Sequence, residues 1–208
     1  MEPLRVYFET GRRWVFACAL DWPGWCRRGR SEEAALGALL DYASRYSTAA
    51  GVAVPAASVE VIGRVATRSG LADFGAPGAV GPWDDEPLPA CELNRHLGLL
   101  ALCWAYLDGV AAVAPAELRK GPRGGGRDRE AMVSHVQEAE RAYVPKVGFR
   151  VPPGNPWEDQ RTLILAGLRA APADSAWPVP YTIRRLAWHV LDHAWEMEDR
   201  SVPPEPTP

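Results

Sequence analysis

His189 and His193 stand four residues apart in a segment whose apolar residues recur at helical spacing. On a helix such residues project the same way, about one turn apart along the axis. Both imidazoles can therefore reach a common cation about 2.0–2.1 Å from each ligating nitrogen. His135 has a similar place at the shoulder of an earlier helical stripe. Two ligands from one helix and one from another would make a three-histidine site with open coordination positions, which a catalytic metal needs for water or substrate. Three neutral ligands leave the cation's charge in place, so it could acidify a water or polarise a thiol or carbonyl. The bare spacing also fits two half-buried histidines with ordinary hydrogen bonds.

Other residues near this pattern carry alternative readings. Glu196, one turn beyond His193, is the candidate catalytic residue. Its carboxylate could orient a ligand, bind the metal or act as a base, or else be a solvated group on the helix face. His96 reads as a partly buried histidine, with a fourth ligand or a substrate contact as the functional alternative. Asp192 points away from the histidine face and reads as a surface residue. Trp157, Trp188 and Trp195 read as packing rather than as a substrate cage, and Arg12-Arg13 and Arg27-Arg28 as solvated loop charges. The cysteines Cys18, Cys26, Cys91 and Cys103 form no Cys-x-x-Cys pair, so they read as reduced, at least partly buried thiols.

Placing these side chains requires helices, and the second half of the chain offers four. Leu93, Leu97, Leu100, Trp104, Leu107 and Ala111 recur at helical spacing, with Pro115 beyond them. After the glycine-rich loop 121–126, Asp128 is a plausible N-cap for the stripe Met132, Val133, Val136, Ala139 and Tyr143. Asn155-Pro156-Trp157-Glu158 resembles a capped start, with proline at the first helical position, for a helix reaching about Ala171. The fourth follows Pro180 and carries Ile183, Leu186, Ala187, Val190, Ala194 and Met197 on one face. With no strand between them, these segments predict a four-helix bundle. The first third is β-rich instead, with runs at 6–8, 14–20 and 58–65. Asp21-Trp22-Pro23-Gly24 makes a turn, and a helix opens at Ser31-Glu32-Glu33. The expected organisation is α+β: a small α+β domain over 1–70, a Gly/Pro/Asp-rich linker over 71–88, the bundle over 89–201 and a disordered Pro-rich tail over 202–208.

A hydrophobic content of 47% is enough for a packed core. The net charge of −3, with Lys and Arg spread along the chain, leaves no electrostatic footprint for nucleic acid. No signal-like segment and no apolar run long enough for a bilayer stands out, so a cytoplasmic location without membrane or nucleic-acid partners is expected.

The strings Arg184-Arg185-Leu186-Ala187-Trp188-His189-Val190-Leu191-Asp192-His193 and Ser134-His135-Val136-Gln137-Glu138-Ala139-Glu140 resemble the DinB-like superfamily. That superfamily includes mycothiol-dependent maleylpyruvate isomerases and bacillithiol transferases. The resemblance covers roughly residues 88–201. It implies a four-helix bundle with one metal-ligating histidine on the second helix and a His-x-x-x-His pair on the last, positions filled here by His135, His189 and His193. It further implies a divalent ion, zinc or nickel foremost and iron or manganese after them, and thiol-dependent transfer or isomerisation. The segment Trp195-Glu196-Met197-Glu198-Asp199-Arg200 carries no pattern tied to mycothiol.

Residues from about 6 to 46 resemble the HicB-like fold of antitoxins, in the strand pair, the Asp21–Gly24 turn and the Ser31-Glu32-Glu33-Ala34 helix start. This implies a small α/β sandwich ahead of the bundle. Such a module would pack on the bundle, shape a substrate mouth or mediate dimerisation, since a sheet edge could pair with a second copy. The expected function is a divalent-metal-dependent enzyme acting on a small-molecule substrate, of hydrolase, isomerase or thiol-transferase type. The alternative is a non-catalytic, metal-stabilised binding or regulatory protein that uses the HicB-like domain for protein–protein contact.

Overall fold

A computed structural model describes residues 2–55, 57–67, 70–121 and 125–201. The expected tail, 202–208, and positions 122–124 of the glycine-rich loop lie outside the described residues. An N-terminal mixed-sheet domain is followed by a helix-rich region. Strands β1 (Leu4–Thr10), β2 (Val15–Ala19), β3 (Cys26–Gly29) and β4 (Val59–Ala66) lie in the order β3-β2-β1-β4. The first pairing, β1 with β2, is antiparallel, as is β2 with β3, whereas β1 and β4 run parallel. A parallel pair needs a long crossover, supplied by helices α1 (Glu32–Asp41) and α2 (Ala43–Ala50).

Alternation along the strands sends side chains to two covered faces. Val6, Phe8, Val15, Ala17 and Ala19 share a core with Ala35, Leu39 and Tyr46 of the crossover. Tyr7, Phe16, Cys18, Leu20 and Cys26 turn the other way, toward Ala72 and Trp188. Covered on both sides, β2 is buried at all five positions. Ser31 caps α1 as expected, its Oγ accepting from the Ala34 amide at 3.1 Å. Strand β3 is a correction: Arg27 and Arg28 lie in an edge strand, not a loop. Arg27 stacks over Tyr42 at 3.9 Å and reaches Asp192 at 3.3 Å. Asp192 is thus tied to the sheet domain and is no simple surface charge.

The 71–88 connection is packed. It holds helix α3 (Leu71–Phe74) and a 3-10 turn, Pro82–Asp84. The buried carboxylate of Glu9 accepts from the amides of Gly78 (2.7 Å) and Ala79 (3.0 Å), and buried Asp84 pairs with Arg184. Four long helices follow: α4 (Ala90–Val113), α5 (Arg129–Tyr143), α6 (Trp157–Ala170) and α7 (Val179–Ser201). Pro156 sits at the cap of α6, one position earlier than expected. By length and composition α4 is long and apolar enough to cross a membrane, contrary to the sequence-based expectation. Here its Leu97, Leu100, Trp104 and Leu107 are buried in the core shared with α7.

Helix α7 is buried at every position from Pro180 to Leu191. The Asp21–Gly24 turn rests directly on it: a Cβ on Gly24 (φ +94°) would lie 2.8 Å from Leu191 Cδ1 and 3.1 Å from the Ala187 backbone. Glycine is needed there for both the turn and the approach.

Burial, working against the two amides and the nearby Arg185 and Arg184, raises the Glu9 carboxyl to about 7. A carboxyl raised in the folded state leaves stability intact below its unfolded value, near 4.5, and removes it as pH rises through 7. The loss is about 3 kcal/mol. Glu9→Gln keeps an acceptor for both amides and carries no charge. Urea unfolding is therefore expected to show Glu9→Gln gaining stability over the native chain between pH 4.5 and 8; a difference that stays constant with pH would contradict this.

Candidate metal centre

Along α7, Arg185, His189 and His193 recur at intervals of four, with Glu196 one turn further, so all project to one side. Helix α5 lays His135 against them. The His189 and His193 ring centroids are 4.6 Å apart, and His135 lies 5.0 Å from each. One nitrogen of each ring falls within 4.8 Å of the other two. Tetrahedral ligation at about 2.0–2.1 Å sets nitrogens about 3.4 Å apart. Small side-chain rotations would close the three on one ion.

His189 is buried, while His135 and His193 are partly exposed. Burial, then the neighbouring His193 and His135, then Arg185 and Arg127, lower His189 to about 2. Burial, then Arg127 and His193, also lower His135. Both are neutral at pH 7, the form that binds metal. The Nδ1 of His189 is buried with no hydrogen-bond partner among the described residues. An orphaned polar atom of this kind costs about 1–3 kcal/mol, and ligation is one way to satisfy the ring. On these grounds the donor set fits a divalent cation.

Glu196 has a distinct place. Its Oε2 lies 3.1 Å from His193 Nδ1, and its Oε1 accepts from Arg200 at 2.8 Å. The bond to His193 is the largest cause holding its carboxyl below the usual range. An ionised carboxylate only accepts, so Nδ1 of His193 must donate, leaving Nε2 for a cation. Of the three roles weighed for Glu196, the geometry is that of orienting a ligand; it is not one of the three clustered groups.

The remaining candidates lie elsewhere. His96 is buried on α4, its Nε2 3.2 Å from Arg95, beside Pro180 and Arg184 and outside the cluster. Trp195 packs on Tyr42 and Trp157 on Arg161. Trp188 packs on Phe16 at 6.4 Å and borders His189 at 6.1 Å. Tyr143 forms a wall that the sequence suggested only as packing: its ring is 5.8 Å from His189, and its hydroxyl accepts from Arg185 at 3.2 Å. The available signals were its place two turns beyond His135 on one helix, and Arg185 four before His189.

No known protein family, curated protein or solved structure matches this chain.

Removing the carboxylate behind His193 should weaken metal binding about 10- to 100-fold. Calorimetric zinc titration of Glu196→Ala is expected to show this loss, with Glu196→Gln in between. Native affinity in Glu196→Ala would remove Glu196 from the site.

Proposed function

We propose that His135, His189 and His193 hold one divalent cation, zinc or nickel foremost, in an enzyme acting on a small molecule. The observation that carries this reading is the convergence of three histidine nitrogens from two helices, with a carboxylate behind one of them. When bound, the cation would supply Lewis acidity toward a water, thiol or carbonyl. The chain's own residues set the surroundings. Glu196 holds the proton on His193 Nδ1, Tyr143 and Trp188 wall His189, and Arg185 and Arg127 add positive charge that favours an anionic group on the substrate. Hydrolysis, isomerisation and thiol transfer all suit such a site.

The order of α4 to α7, with one histidine on the second of them and two on the last, supports the DinB-like reading over 89–201. The strand pair, turn and capped helix support a HicB-like module over 1–70. One observation favours the binding-protein alternative: β4 is an edge strand with outward residues, Val61 among them 41% exposed, and such an edge can accept a strand from a partner or a second copy. A cytoplasmic protein without nucleic-acid partners remains our reading of the composition.

Protein purified from metal-replete cells is expected to carry about one divalent ion per chain, and His189→Ala to lose it. Metal-free native protein would overturn the proposal. Cobalt-substituted protein separates the two roles: a visible spectrum that shifts on adding azide or a small thiol marks an open, catalytic position, and an inert spectrum marks a structural ion.

A further inference from the structure

Cys18 and Cys26 oppose one another across the antiparallel β2–β3 pair. The adjacent pair is the hydrogen-bonded one, with the Ala19 amide donating to the Trp25 carbonyl at 2.9 Å. Ladder alternation makes the Cys18–Cys26 position the narrow kind, where opposed Cα atoms lie about 4.5 Å apart and side chains come closest. Disulfides span Cα separations of about 4.4–6.8 Å. Both thiols are free and buried. Cys91 is exposed on α4, and Cys103 is buried in the helical core, away from this pair.

Access is limited, and that limit selects the oxidant. Both thiols line a cavity of about 20 Å³ together with Gly24, Arg184 and Trp188, room for about one water-sized molecule. Cys26 opens the four-residue edge strand β3, which among the described residues is paired on one side only. Short edge elements of this kind open locally at low cost.

We propose that Cys18 and Cys26 form an oxidative modification site, a dithiol that hydrogen peroxide closes to an intramolecular disulfide in the folded protein. Cys26 is the attacking thiol, because it opens the edge strand and is the less buried of the two, 5% exposed against 2% for Cys18. After losing its proton, Cys26 sulfur attacks one peroxide oxygen, the O–O bond breaks and hydroxide leaves, giving a sulfenic acid. Deprotonated Cys18 attacks that sulfur, the S–O bond breaks and a second hydroxide leaves. The two hydroxides take up the two thiol protons. Two thiols thus lose two electrons, and one peroxide becomes two waters. Burial raises both thiols, so the reaction is slower than at an exposed cysteine.

The test uses full-length protein carrying Cys91→Ser, which removes the exposed thiol. After peroxide treatment of the folded protein, quenching, denaturation and alkylation, mass spectrometry is expected to find Cys18 linked to Cys26 and only Cys103 alkylated. Dithiothreitol should restore all three thiols. With Cys18→Ser added, Cys26 should instead gain two oxygens as sulfinic acid. Recovery of three alkylatable thiols, sulfinic acid on Cys26 while Cys18 is present, or a crosslink formed only in denaturant would each overturn the proposal.

Discussion

Helix α7 is held from two sides, and the orientation of the histidine cluster follows from how it is held. On one side Trp188 packs into the sheet face built from Tyr7, Phe16 and Cys18. On the other, Ile183, Leu186 and Val190 join α4 and α5 in the main core. Two buried arginines fix the rotation of the helix between these surfaces. Arg184 pairs with Asp84 and reaches the Tyr7 hydroxyl at 3.3 Å. Arg185 donates to the Pro77 carbonyl and the Tyr143 hydroxyl. A buried guanidinium stripped of its partners is heavily penalised. Turning α7 by one residue, about 100°, would break both sets at once and swing His189 and His193 away from His135.

The third histidine depends on a different device. Helix α5 is anchored by Glu140, fully buried five residues beyond His135, which accepts from Trp104 of α4 and, at 2.9 Å, from Gln160 of α6. Gln160 also donates to the Gln137 carbonyl at 3.0 Å. A satisfied polar network of this kind resists sliding, because each displaced group would be left unpaired in a low-dielectric interior. The sheet domain adds a clamp further along α7, where Arg27 meets Asp192 and Arg45 meets Glu198. Site and fold are therefore not separable modules: the connection 71–88, the first strand and helices α4, α5, α6 and α7 all help set the positions of the imidazoles.

Much of this could be read from residue order. The four-residue spacing of His189 and His193, the helical stripes and the Ser31 cap each encode local geometry directly. His135 joined the pair only through the family resemblance and its shoulder position on an earlier stripe, since no local signal states which faces of two helices meet. Strand β3 was hidden because Cys26-Arg27-Arg28-Gly29 lacks apolar alternation; its arginines are stabilised by stacking and pairing that only the folded chain provides. The connection 71–88 looked like a linker because glycine and proline dominate it, yet its backbone amides satisfy Glu9 and its Asp84 satisfies Arg184. The membrane-like composition of α4 belongs to a helix packed against α7 within the core, and composition alone did not separate the two.

Under the proposed function, three imidazoles from α5 and α7 share one ion. X-ray absorption at the metal edge of zinc-loaded protein addresses it directly. The expected spectrum shows three imidazole nitrogens at about 2.0–2.1 Å plus an exchangeable light atom, falling to two imidazoles in His135→Ala. Fewer than three imidazoles in the native protein, or thiolate sulfur at about 2.3 Å, would contradict the account.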